Sequence, residues 1–242
     1  MIATIILAAG KGKRMASNIP KVLHKLKGVS LIERVIETSH QLNSSKIIAV
    51  IGHQKEIVRE SLLQYKDIEF AIQEEQKGTA HAVKMCFKNL EKFSGDVLIL
   101  SGDVPLISLK TLKKLIEIKN KVGAKASVLT AAMTNPYGYG RIIRNSEGFL
   151  NRITEHKDCN NKELLINEIN AGIYIIEKRF LFEYIPKIGN QNSQSEYYLP
   201  DLINLMISDN FPVSVYKTDN ITEISGVNSK EQLNELEEYL DE

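Results

Sequence analysis

Residues 5–15 read Ile5-Ile6-Leu7-Ala8-Ala9-Gly10-Lys11-Gly12-Lys13-Arg14-Met15, an apolar run that stops at two spaced glycines set among basic side chains. The run is short and free of polar residues, the pattern of a strand covered on both faces. A buried strand ending in a glycine-rich loop is how an open α/β sheet begins. Ligands of such sheets lie at the carboxyl ends of the strands.

Outward from this stretch the same rhythm repeats. Short apolar, β-branched runs predict strands over residues 4–8, 46–51, 68–72, 97–100 and 126–133. Between them Leu31, Val35 and Leu42 mark one helical face, and Leu109, Leu112 and Ile116 another. Ser30 followed by Glu33 has the spacing of a capping box, and Ser108 can cap the helix after Pro105. The reading is a Rossmann-like, doubly wound, mostly parallel sheet. After Pro136 the pattern changes to glycine-rich turns and shorter strands, over 141–144, 149–154 and 171–176, with helices near 179–184 and 199–207. That predicts a smaller, antiparallel part holding a different ligand. Residues 230–242, with Leu233, Leu236 and Leu240 at helical spacing, read as a terminal helix packed on the body. No repeat of fixed period interrupts the chain.

Bulk properties exclude several classes. A chain of 242 residues, 43% hydrophobic, can bury a substantial core. The formal charge is only +1, so no global field favours nucleic acid or an anionic membrane, and neither partner is expected. Cys86 and Cys159 are too few for a disulfide framework or a four-cysteine zinc site. The opening MIATIILAAGKGKR carries its charge after the apolar run rather than before it. It fits neither a signal peptide nor a membrane span, and a cytoplasmic location is expected.

The glycine loop suits phosphate. Gly10 and Gly12 let backbone N–H groups approach phosphate oxygens, while Lys11, Lys13, Arg14 and Lys21 supply charge. With Lys25 and Lys27, six basic residues precede the first acid, Glu33. A solvated basic turn is the alternative for such a loop taken alone. A dinucleotide fingerprint needs a third glycine where Met15 stands, and a Walker loop needs Ser or Thr where Arg14 stands, so both fail. The triphosphate of a free nucleotide remains. Arg14 can grip two phosphate oxygens with its planar fork, and Lys21, after Pro20, can act as a point charge nearer the reacting phosphorus.

The loop Leu7-Ala8-Ala9-Gly10-Lys11-Gly12-Lys13-Arg14-Met15 followed by Pro20-Lys21-Val22-Leu23-His24 resembles the sugar-nucleotide pyrophosphorylase family. The run PKVLH is similar to its N-acetylglucosamine-1-phosphate uridylyltransferase branch. The segment Gln73-Glu74-Glu75-Gln76-Lys77-Gly78-Thr79-Ala80-His81-Ala82 resembles the base-binding loop of the same branch. A surface turn with Thr79 as helix cap is the plainer reading of Gly-Thr alone. An amide such as Gln73 can both donate to and accept from the imide edge of uracil, with Gly78 and Thr79 completing recognition.

Ser101-Gly102-Asp103-Val104-Pro105 puts a carboxylate at the carboxyl end of a strand, where it can hold Mg²⁺ or merely cap a turn. The resemblance implies metal, with Asn228 as second ligand; taken alone, Asn228 reads as a turn former. Members of the branch often carry tyrosine where Ser101 stands, which leaves open any sugar contact there. For the sugar phosphate the resemblance implies Gly102, Gly140, Glu155, Asn170 and Asn228, and for the nucleotide Leu7, Ala8, Ala9, Gly10, Lys21, Gln73, Gly78, Thr79 and Asp103. It divides the chain into a nucleotide half, about residues 1–134, a sugar-phosphate half, about 135–229, and a terminal helix.

The implied reaction joins UTP to N-acetylglucosamine 1-phosphate, giving UDP-N-acetylglucosamine, a cell-wall precursor, and pyrophosphate. The sugar phosphate is already ionised at neutral pH, so Arg14, Lys21 and Asp103 with Mg²⁺ would act by position and charge rather than as a general base. Two rivals stay open: a relative using CTP or dTTP and another sugar, and a non-catalytic nucleotide sensor. Nothing in the chain resembles the hexapeptide β-helix that trimerises the bacterial enzymes and transfers acetyl groups. No acetyltransferase activity is expected, and the oligomeric state stays open.

Overall fold

The computed structural model describes residues 1–15 and 17–241, apart from the Lys13 side chain, so the charge expected from Lys13 lies outside the described residues. β1 (Ile2–Ala8) leads through a small hairpin, β2 (Lys25–Leu26) and β3 (Val29–Ser30), into α1 (Leu31–Gln41), β4 (Lys46–Ile51), α2 (Lys55–Ser61) and β5 (Ile68–Ile72). There follow α3 (Thr79–Lys84), α4 (Phe87–Leu90), β6 (Asp96–Ser101), α5 (Leu109–Lys121) and β7 (Ala126–Ala132). A second hairpin, β8 (Arg141–Arg144) and β9 (Leu150–Thr154), precedes β10 (Glu168–Glu177), α6 (Lys178–Tyr184), α7 (Pro200–Ser208), β11 (Val213–Thr218) and α8 (Lys230–Tyr239).

The main sheet has nine strands, with the path β11-β7-β10-β6-β1-β4-β5 and the β8–β9 hairpin branching from β10. β1 lies parallel to both β4 and β6, so the loops leaving β1 and β6 emerge side by side at one edge. Alternate residues of β1 explain its uniform hydrophobicity. Ile5 packs with α3, α6 and α7 on one face, while Ile6 packs with α1, α2 and α5 on the other. The expected mostly parallel, doubly wound α/β sheet is the one observed. The expected capping box is also present: Ser30 Oγ accepts from Glu33 N while Ser30 N donates to Glu33 Oε2. Ser108 Oγ likewise accepts from Thr111 N at the start of α5.

The second part of the chain is largely antiparallel, as expected, and its strands join the main sheet. β10 enters the main sheet between β6 and β7, antiparallel to both, and β11 extends the edge parallel to β7. β10 also begins at Glu168, three residues before the predicted start. Gly172, with φ +72°, sits in a bulge inside the strand, where the register on β7 shifts between Asn170 and Tyr174. β11 was not predicted. Val213 to Tyr216 are only partly buried, Lys217 is exposed and Thr218 is buried, so the strand lacks the unbroken apolar run of its neighbours. Among the described residues no helix is long and apolar enough to cross a membrane.

Candidate active site

Two cavities open where β1 and β6 end and β10 begins. The larger, about 740 Å³, is lined by Leu7, Ala8, Ala9, Gly10 and Lys11, by Lys21 and Asp103, and by Gln73, Gly78 and Thr79. The second, about 190 Å³, is lined by Gly140, Glu155 and Asn170 together with Tyr139, Ala171, Gly172 and Tyr174. Leu7, Thr79 and Ser101 line both, so the two cavities share a wall.

Gly12 sets how closely the loop after β1 approaches Lys21, which lines the first cavity. Gly12 has φ +56°, and a Cβ there would lie 2.7 Å from Lys21 Cβ, so only glycine lets the loop close over residues 20–23. Lys21 is thereby held against the end of β6. Its ammonium pairs with Asp103 Oδ2 and donates to Asn228 Oδ1 at 3.0 Å. Backbone geometry fixes the same meeting: Val227 N donates to Asp103 O at 2.9 Å, drawing Asn228 over the strand end. Asn228 Nδ2 donates to Gly226 O at 3.2 Å, which turns its Oδ1 toward Lys21. Two oxygen donors from distant segments therefore face one cationic point. That donor set, a carboxylate and an amide carbonyl, fits a hard divalent cation such as Mg²⁺.

At the other end of this cavity Gln73 is 3% exposed. Its Nε2 donates to Gly78 O at 3.1 Å and lies 3.0 Å from His81 Nδ1. Since an amide nitrogen only donates, His81 Nδ1 must accept, and the ring is neutral. Burial is the largest influence lowering the His81 pKa below 6.5, followed by Lys77 and Lys84, which agrees with that requirement. Gln73 thus spends its N–H groups on the protein, and its side-chain carbonyl has no hydrogen-bond partner among the described residues.

Thr79 does not cap α3. Gly78, with φ +110°, occupies the cap, and Thr79 Oγ1 accepts from Leu199 N at 2.9 Å. The segment around Tyr197 is bound to the same loop: Tyr197 N donates to Lys77 O, and Ala80 N donates to Tyr197 O. Sequence reasoning passed over Ser195-Glu196-Tyr197-Tyr198, although Glu196 lines the first cavity. Paired tyrosines after a run of Asn, Ser and Gln were the available signal.

In the second cavity Asn170 is nearly buried, donating through Nδ2 to Tyr174 Oη at 2.5 Å and accepting from Gly172 N at 3.2 Å. Glu155 stands opposite, its carboxyl pushed up to about 7, first by burial and then by Asp201, Asp158 and Glu196. Two expected residues stand elsewhere. Gly102 N donates to Leu7 O at 2.9 Å, so its N–H joins strand ends rather than facing a ligand. Arg14 lines a third cavity of about 500 Å³, with Tyr139, Gly226 and Gln232. Burial raises the Tyr139 pKa, and its hydroxyl meets the backbone of Gly226 in the field of Asp103 and Arg14. His24, given no role, has a buried Nε2 without a hydrogen-bond partner among the described residues, and burial, then Lys230, keeps its pKa low.

Residues 4–159 match the family model described as the MobA-like NTP transferase domain, well over half of the chain. The bifunctional protein GlmU of Bacillus cereus (strain AH187) is 44% identical over 233 residues, covering 96% of this chain and 50% of that protein. GlmU of Bacillus anthracis (strain CDC 684 / NRRL 3495) matches with the same identity and coverage. The chain spans about half the length of these curated relatives. Among solved structures, a UDP-glucose pyrophosphorylase complexed with UDP-glucose superposes with a TM-score of 0.80 at 17% identity, covering 100% of this chain and 99% of that one. At that identity the likeness speaks for the fold.

Proposed function

The chain belongs to the MobA-like NTP transferase domain family, and on that footing we propose that it transfers the uridylyl group of UTP to N-acetylglucosamine 1-phosphate, releasing pyrophosphate. The observation that carries this reading is the junction of the two cavities, with the Lys21, Asp103 and Asn228 array at the nucleotide side of the shared wall. A nucleotide in the first cavity and a sugar phosphate in the second would meet at Leu7, Ser101 and Thr79. The resemblance of residues 73–82 to the base-binding loop of the uridylyltransferase branch, and the likeness to GlmU, support uridine and N-acetylglucosamine in particular.

The base end supports the choice of pyrimidine. Gln73 offers only its carbonyl oxygen, an acceptor for the N3–H of uracil. Cytosine presents an unprotonated N3 at that point, and two acceptors would face each other there. The free carboxyl of Glu155 and the remaining capacity of Asn170 suit the hydroxyl and acetamido groups of the sugar.

In the reaction a phosphate oxygen of the sugar phosphate attacks the α-phosphorus of UTP and pyrophosphate leaves. The nucleophile is ionised at neutral pH, so proximity and charge compensation carry the rate. Asp103 and Asn228 would hold Mg²⁺, which when bound offsets charge on the phosphate oxygens. Lys21 brings its ammonium to the same point, and Arg14 approaches from the third cavity to receive the departing pyrophosphate. The cytoplasm, where nucleoside triphosphates are made, is the compartment this reaction needs.

The test is pyrophosphate release with UTP, CTP, dTTP and ATP, each crossed with the 1-phosphates of N-acetylglucosamine, glucosamine and glucose. UTP with N-acetylglucosamine 1-phosphate is expected to give the highest kcat/KM. Preference for another pair would reassign the substrates, and no release with any pair would remove the catalytic reading.

A further inference from the structure

The molecule caps two of its helices with the same residue pattern and uses it differently. In α1 the third helical residue, Glu33, returns its carboxylate to the N–H of the capping residue Ser30, at 3.1 Å. In α8 the cap is Ser229, whose Oγ accepts from Gln232 N at 3.3 Å. The Gln232 side chain, however, reaches one residue further. Its Oε1 accepts from the backbone N–H of Asn228 at 2.7 Å.

That bond comes from outside the Gly226–Asn228 turn and closes it. Asn228 is otherwise fixed by Nδ2 on Gly226 O, while the turn is joined to Asp103 by Val227 N. The helix that carries Gln232 is itself anchored, with Leu233 and Leu236 packed against Met15, Leu26, Leu31 and Val227. A rigid helix therefore grips the backbone of the residue whose side-chain oxygen faces Lys21 beside Asp103.

We propose that Gln232 is a positioning residue of the cation site, setting where Asn228 Oδ1 stands and through it the affinity for the divalent cation that accompanies the nucleotide. The proposal rests on the reading of Asp103 and Asn228 given above. A partner that orients a ligand governs metal affinity even though it never touches the metal. The acceptor oxygen is the part of Gln232 that matters, so glutamate can serve in its place and leucine cannot.

Binding of Mn²⁺ in the presence of UTP, followed by electron paramagnetic resonance, separates this role from simple helix capping. Gln232→Leu is expected to weaken Mn²⁺ binding about tenfold, and Gln232→Glu to keep it within about threefold. Ser229→Ala removes the cap and leaves the Gln232 to Asn228 bond, so it should lower the melting temperature without moving the Mn²⁺ affinity. Combined with Asn228→Ala, Gln232→Leu should add no further loss. Unchanged Mn²⁺ binding in Gln232→Leu, or an equal loss in Ser229→Ala, overturns the positioning role. Unchanged binding in Asn228→Ala overturns the metal reading beneath it, so the two failures are told apart.

Discussion

Lys21 meets acceptors from two segments far away in sequence, and the consequences of losing any member differ in kind. Asp103→Asn keeps the shape and removes the charge that pairs with Lys21, so turnover should fall about a hundredfold or more while the fold survives. Arg14→Ala should do the same. Steady-state pyrophosphate release by folded protein checks both, and near-normal turnover in either variant would contradict the assignment. Glu155 makes a second, independent prediction. The unfolded chain loses this proton near 4.5 and the folded protein near 7, because burial disfavours the carboxylate. Between these values the folded state holds a proton that the unfolded state has lost, so stability falls as pH rises, and the penalty is complete above about 7. Glu155→Gln should therefore raise the melting temperature at pH 8 and leave it unchanged at pH 4. The wild-type KM for the sugar phosphate should change across pH 7, and that of the variant should stay flat.

Among elements, the glycine-bearing loops separate two uses of the same residue. At Gly78 a Cβ would stand 2.5 Å from the carbonyl oxygen of Tyr197 and 2.7 Å from its nitrogen, at φ +110°. Gly78→Ala should cost about 1 kcal/mol or more of stability and push the base loop from the Tyr197 segment. At Gly10 nothing lies within 4 Å of the added carbon, yet the residue lines the larger cavity, where we propose that UTP binds. Gly10→Ala should leave the urea midpoint nearly unchanged and raise the KM for UTP alone. Equal stability losses in the two variants would contradict this division. The loop after β1 was legible because its strand, glycines and charges are consecutive in the chain. The clamp on Gly78 was not, since it depends on Tyr197, brought close only by the fold. The same holds for the Asn170 bulge: the apolar run predicts a strand from residue 171, but the register shift on β7 depends on a partner distant in sequence. Thr79 shows the limit most sharply: its helix is where the pattern placed it, but its hydroxyl serves Leu199 rather than the helix end.

For the whole molecule, the division of the sequence near residue 134 into a nucleotide part and a sugar part does not divide the sheet. β7 has only β10 and β11 as neighbours, and both follow it from the second part. β6 loses one neighbour if β10 is removed, which leaves Val97, Leu98 and Ile99 at a bare edge. The core on the Ile5 face would also lose Phe180, Leu181, Leu202, Ile203 and Met206 of α6 and α7. A fragment of residues 1–134 would then expose a strand with no partner and strip α6 and α7 from the Ile5 face of β1, leaving α3 there. We expect that fragment to show no cooperative thermal transition, while the full chain unfolds in one, with the near- and far-ultraviolet circular dichroism signals coincident. UTP, binding only the folded chain, should shift that single transition upward as a whole, because β10, which bounds the second cavity, also braces β6, the strand that leads to Asp103. Two resolved transitions in the full chain, or a cooperative melt of the fragment, would show that the halves fold separately and that the shared sheet does not couple their sites.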